Sequence, residues 1–279
     1  MLAELGLYLI TRVPRPVRRL GLLRESVGLW SRSARQKVAW APHYARCRQV
    51  VAKLAGEIGH GRTVLVLGSG LVRDVPIDLL AARFDRVVLV DAVHLPTVRL
   101  RLARYRNLAF DRRDLTGALD WLAGRAGQRV APLEDYLADD SIDLVISANL
   151  LSQLPIPLAN WIARQHGRAE RFPEDVPAQA VGWHLDDLAR FRCPVCLLTD
   201  VEMREENRDG EVGKRLDLLH GARLPEPDDA WDWPVAPYGE SARDFAYIHR
   251  VHAYRRFGAG LTAPGSSPPP AAADRPAPD

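Results

Sequence analysis

Between residues 62 and 147, short apolar runs alternate with stretches of helical spacing. Val64–Leu67, Val87–Val90 and Ile142–Ser147 are continuous apolar runs, and Asn107–Phe110 is a weaker fourth. Runs that do not alternate with polar residues are the mark of strands buried on both faces. Val75–Phe84 and Leu95–Arg104 lie between them with helical patterns, and a further helix is expected around Leu119–Leu122. The pattern predicts a doubly wound, mostly parallel, Rossmann-like α/β sheet. Residues 175–190 predict another crossover helix, followed by a strand run at Val195–Val201. Asp244–Phe257 alternates as a final strand, and Asp232–Ala236 is the candidate to pair with it, which gives a C-terminal antiparallel pair.

Residues 1–60 carry a different pattern. Leu20, Leu23, Val27 and Trp30 recur at helical spacing, and Val38 to Leu54 continues it. Eleven basic residues stand here against three acidic ones, a local charge of +8. They do not form one clean stripe, so the segment reads as a helical cap rather than a nucleic-acid arm. The domain boundaries expected are a cap at 1–60, an α/β domain at 61–257 and a Pro/Ala-rich disordered tail at 258–279.

Composition narrows the function only a little. The 279 residues include 38 basic and 35 acidic side chains, for a net charge of +3, so no overall field draws the chain to nucleic acid or membrane. No run of 18 uncharged apolar residues predicts a transmembrane helix. Three cysteines are too few for a disulfide scaffold and fit a reduced, cytoplasmic setting. Oligomeric state is not legible.

The strongest site is Val64–Gly70, reading VLVLGSG. A buried strand delivers Gly68 and Gly70 into a turn ahead of a helix, where bare backbone lets a ligand approach closely. Asp74 is a plausible N-cap for that helix, with Pro76 in its first turn. Asp91 ends the second strand, 21 residues after Gly70, where a carboxylate meets the ribose hydroxyls of a bound adenine nucleoside. Asp111 or Asp114 follows the third strand. A dinucleotide fingerprint wants a further glycine where Arg73 stands, which disfavours NAD.

These residues resemble class I S-adenosylmethionine-dependent methyltransferases over about residues 60–257. The resemblance rests on VLVLGSG (64–70), VVLVDAV (87–93), Asp114-Leu115-Thr116 and SIDLVISANLLSQLP (141–155). It implies that Gly68, Ser69 and Gly70 pass the methionine part of S-adenosylmethionine. It also implies that Asp91, with Ala92 beside it, binds the ribose, and that Asp114, with Leu115, receives the adenine amino group. Ser147 and Asn149 would line the methyl-transfer site, with Asn149 also touching the cofactor. Two positions depart from the pattern: Val66 replaces an acid and Val72 the third glycine. The expected activity is methyl transfer to a small molecule. The competing classes are a non-catalytic binder of an adenosyl ligand and an NAD-dependent oxidoreductase.

Other candidates are weaker. Trp40, His43 and Tyr44 precede the sheet in a segment suited to roof a pocket, and His43 is a candidate base. Trp231, Trp233 and Tyr238, with Glu240, precede the last strand and read either as a pocket wall or as an aromatic patch closing the sheet edge. Cys193 and Cys196 lack the further ligands a zinc site needs, and no metal is expected. His249 and His252, three apart on a strand, do not share a face. His184, Asp186 and Asp187 read as a solvated helix face.

Overall fold

The structure, a computed structural model, describes residues 2–164 and 175–258. The expected tail at 258–279 therefore lies, beyond Gly258, outside the described residues. Four helices open the chain: α1 (Leu2–Ile10), α2 (Arg15–Arg19), α3 (Leu22–Arg35) and α4 (Lys37–Ile58). The alternating part follows as β1 (Gly61–Leu67), α5 (Ile77–Arg83), β2 (Phe84–Asp91), α6 (Pro96–Leu102) and β3 (Leu108–Arg112). Next come α7 (Leu119–Leu122), α8 (Glu134–Leu137), β4 (Ile142–Ala148), a 3-10 turn (Leu151–Gln153), α9 (Pro155–Ala163) and α10 (Val176–Ala189). The chain closes through β5 (Val195–Asn207), β6 (Val212–Asp217), β7 (Asp229–Ala236) and β8 (Phe245–Tyr254).

The strands form one sheet in the order β3-β2-β1-β4-β5-β8-β7, with β6 paired to β5. β1 to β5 run parallel, and β8 joins β5 antiparallel. Val64–Leu67, Val87–Val90 and Leu144–Ile146 are almost wholly buried, as unalternating runs covered on both faces should be. β5 runs six residues past Val201 and β6 was not anticipated. Glu202, Glu205, Glu206 and the fully exposed residues of β6 make a solvated ribbon, so the apolar signal for strand is missing there. Among the described residues no helix is long and apolar enough to cross a membrane, and no group of three or more His, Cys, Asp or Glu is placed to hold a metal.

The cap is fastened to the far edge of the sheet. Trp40 of α4 is fully buried, donates through Nε1 to the Val235 carbonyl at 3.1 Å and meets Trp233 edge-on. Glu240, in the β7–β8 connection, accepts from Arg35 at 2.6 Å and from Gln36 at 2.7 Å. A helix whose Trp40, His43 and Cys47 all face inward is thereby held over the carboxyl end of β4 and β5.

Candidate active site

Gly68 and Gly70 leave β1 with φ of 71° and 47°, a region that glycine enters without a steric cost. A Cβ on Gly68 would lie 2.6 Å from the Leu150 side chain, so the loop after β4 packs directly on bare backbone. The turn is stapled to the end of β2. Gly68 N–H donates to the Val90 carbonyl at 3.0 Å, Gly70 N–H to Asp91 Oδ2 at 2.8 Å, and Val93 N–H to Asp91 Oδ1 at 3.1 Å. A carboxylate accepts about four hydrogen bonds, so acceptor capacity remains. Burial pushes the Asp91 pKa up, against the pull of these backbone donors. Val72 has a left-handed backbone, at φ 52°, which is an outlier for a β-branched residue. Arg101 donates to the carbonyls of Leu71 and Val72, and Arg48 to that of Arg73, which pins the strained turn.

Asp74 is not an N-cap. Pro76 occupies that position with no side-chain cap, and Asp74 Oδ2 instead accepts from Asn149 Nδ2 at 2.7 Å. Desolvation raises its pKa. Asn149 has φ 50°, a conformation asparagine tolerates, and its Oδ1 is buried without a partner.

Ser147 does not line the same space. Successive strand side chains point to opposite faces, and Ala148 takes the cavity face. Ser147 is fully buried on the other face, its Oγ 2.9 Å from His184 Nε2. His184 is likewise buried and not solvated, as is Asp187, which pairs with Arg129 at 3.1 Å. Asp114 is committed to its own loop. Oδ1 accepts from the N–H and hydroxyl of Thr116, and Oδ2 from the N–H of Leu119 at 2.8 Å. Leu115 is 5% exposed and packs in the core, whereas Ala92 is half-buried beside Asp91.

The opposite wall comes from residues far apart in sequence. Trp233 of β7, His249 of β8 and Met203 of β5 sit opposite one another in one cross-strand row. His43 stacks on Trp233 with ring centroids 4.0 Å apart and planes at 7°. Its Nδ1 accepts from Trp231 Nε1 at 3.1 Å, so the proton is on Nε2. Burial drives its pKa down to about 4, and the Asp200 charge offsets this only in part. Its basic lone pair is thus engaged, which argues against His43 as the base.

His249 differs. Asp200 stands opposite Val251, which places His249 on the same face and diagonal to it. Its Nδ1 lies 2.8 Å from Asp200 Oδ2, and the Asp200 side chain is 1% exposed. The sequence reading considered His249 only as half of a metal pair. Asp200 was missed because strand register, not spacing, joins the two.

A cavity of about 340 Å³ lies between the two walls, lined by Gly68–Gly70, Asp74 and Asn149 on one side and by His43, Trp233 and His249 on the other. Six buried side-chain polar atoms lack a partner among the described residues. Four belong to residues lining this cavity: Ser69 Oγ, Asn149 Oδ1, Asp200 Oδ1 and Trp233 Nε1. Folded proteins seldom leave such atoms unpaired, which singles out the residues around this cavity.

No family model matches the chain, and no curated protein matches it. Solved structures are similar at a distance. The 1,6-didemethyltoxoflavin-N1-methyltransferase of Burkholderia thailandensis, with its substrate and S-adenosylhomocysteine bound, is 17% identical over 87% of this chain and 92% of its own, with a TM-score of 0.39. DhpI, in its SAM-HEP complex, is 15% identical over 86% and 99%, with a TM-score of 0.37. The N-methyltransferase NodS of Bradyrhizobium japonicum is 13% identical over 75% and 85%, with a TM-score of 0.34. Likenesses of this grade assign no residue. Strand order and direction decide the fold: a mostly parallel, Rossmann-like α/β sheet with a C-terminal antiparallel strand pair.

Proposed function

We propose that the chain transfers a methyl group from S-adenosylmethionine to a small molecule held in this cavity. The observation that carries the reading is a cavity beside the Gly68–Gly70 turn, four of whose lining residues hold a buried polar atom with no partner among the described residues. The residues present fit the cofactor. Asp91 has acceptor capacity left for a vicinal diol at the carboxyl edge of the sheet. Asn149 Oδ1 and the Asp74 carboxylate are acceptors suited to an ammonium group, and the bare backbone of Gly70 permits close approach. Ala92 would lie beside the ribose. Asp114 would act indirectly, by holding the loop that borders the adenine.

Bound there, S-adenosylmethionine supplies a methyl carbon already activated by its sulfonium. The chain's own work is alignment. The cap residues Trp40, His43 and Tyr44 close the cavity against water, and Asn149 fixes the floor through Asp74. Holding two reactants in line is itself a large part of such catalysis. His43 stays neutral and donates through Nε2. Calorimetric titration with S-adenosylmethionine, S-adenosylhomocysteine and NAD tests the reading. Binding of the first two without NAD is expected; binding of NAD alone would replace it with an oxidoreductase. Binding with no methylation of any acceptor would leave a non-catalytic adenosyl binder.

A further inference from the structure

Resting on that reading, we propose that His249, oriented by Asp200, is the general base of the transfer, and that the acceptor reacts through a protonated oxygen or nitrogen. A methyl transfer to a thioether or to an already ionised group needs no base, so a built dyad carries information about the substrate. Four observations support it.

First, the geometry is that of an oriented imidazole. Nδ1 is tied to a buried carboxylate at 2.8 Å, which leaves Nε2 at the opposite corner of a ring that lines the cavity. No described residue partners Nε2. A carboxylate accepts, so it selects the tautomer with the proton on Nδ1 and the lone pair on Nε2. Second, the ring is held on a second side by Trp233, edge-on at 5.8 Å. Third, the groups facing His249 from neighbouring elements are Asp200 of β5, Met203 of β5, Trp233 of β7 and the neutral His43 of α4. Asp74 lines the same cavity and Glu205 follows Met203 on β5, but Asp200 is the carboxylate in hydrogen-bond contact with the ring, placed beside an imidazolium when one forms. Fourth, Trp233, whose buried Nε1 has no partner among the described residues, lines the same cavity.

The step balances without a further reagent. The acceptor oxygen or nitrogen bonds to the methyl carbon. The carbon–sulfur bond of the sulfonium breaks, with its electron pair left on sulfur. The acceptor's proton moves to His249 Nε2, and the resulting imidazolium sits beside the Asp200 carboxylate until solvent takes the proton. Asp200 is a positioning residue in this scheme, since it touches the base and not the acceptor.

The proposal is tested first without any acceptor. In protein labelled with ¹⁵N histidine, long-range proton–nitrogen spectra at neutral pH report the tautomer of each ring, and His249→Gln assigns the signal. The expected state of His249 is protonated at Nδ1 and bare at Nε2. Asp200→Asn should turn the ring to the opposite tautomer, because the amide N–H donates to Nδ1. A wild-type His249 protonated at Nε2, or at both nitrogens, would overturn the proposal. Turnover with tritium-labelled methyl donor against phenols and heteroaromatic N–H compounds gives a second arm. There His249→Gln should lower kcat about 100-fold or more, with donor Kd unchanged within about twofold, and imidazole should restore part of the rate to His249→Gly. An unchanged kcat also overturns it. Failure of S-adenosylmethionine to bind would instead remove the functional reading and leave the tautomer result standing.

Discussion

His249 and His184 invite comparison. Both are imidazoles with a short hydrogen bond to a side chain of a central strand: Asp200, midway along β5, for one and Ser147, near the end of β4, for the other. They sit on opposite sides of what the pleat separates. The His249 partner is a carboxylate, and its ring borders a cavity. The His184 partner is a hydroxyl, its ring is 1% exposed, and desolvation lowers its pKa to about 4, with the Arg129 charge adding to the effect. The first arrangement sets an oriented ring beside a carboxylate at the edge of a cavity. The second resists charging and serves packing. The position of a histidine in the topology says little; its partner and its access to a cavity decide its role.

The sharpest way to break the comparison is to make the same substitution at both positions. His249→Gln should cost about 100-fold or more in kcat while the protein stays folded. His184→Gln should leave kcat within a few-fold and lower the melting temperature. Equal effects on turnover would show that the two rings are not functionally distinct.

The donor side gives the next largest effect. Asp91→Ala removes a charged acceptor, contributing roughly 1.5–3 kcal/mol, so S-adenosylmethionine binding should weaken about ten- to a hundredfold. Because Asp91 also holds the N–H groups of Gly70 and Val93, the melting temperature should fall in the same mutant. Affinity retained at lower stability would reduce Asp91 to a turn-forming residue.

The difference between the two walls also explains what the sequence discloses. The glycine turn and Asp91 are legible because a strand, a turn and a second strand place them by chain order alone. Asn149 is singled out by the resemblance of residues 141–155 to a family motif. The assignment of Ser147 fails by a single residue of strand alternation, with Ala148 taking the face it was given. Asp74 was read as a cap because acids often begin helices, whereas its partner Asn149 comes from another strand. On the opposite wall the aromatic residues are legible as candidates, but their pairings are not. Asp200 meets His249 through the β5–β8 register, and Trp231 reaches His43 across the cap. Such pairs exist only once the sheet and cap have assembled.

Trp231→Phe sharpens the account of the cap. It leaves His43 Nδ1 buried without its donor, so stability should fall by about 1–3 kcal/mol, read by denaturant unfolding. An unchanged midpoint would mean that the Trp231–His43 bond does not hold the roof.

The last prediction concerns pH. His43 and His184 stay neutral in the fold down to about pH 4, while an unfolded imidazole protonates near 6.5. The unfolded chain therefore binds more protons in this window, and stability contributed by the two rings is lost as pH falls from about 6.5 towards 4. Each contributes a slope of at most about 1.4 kcal/mol per pH unit. Asp74, Asp91 and Asp114, raised by burial, act in the opposite direction and soften the fall. His184→Gln should make the decline shallower than in the wild type; an identical profile would contradict the neutral state assigned to that ring.

The central claim is that one cavity aligns a donor on the glycine turn with an acceptor under the cap. A crystal structure with S-adenosylhomocysteine tests it most directly. The account predicts the ribose hydroxyls on Asp91, the amino-acid end against Gly70, Asp74 and Asn149, and the sulfur turned towards the space bounded by Trp233 and His249. A ligand bound elsewhere on the sheet, or bound here with its sulfur facing away from that space, would contradict it.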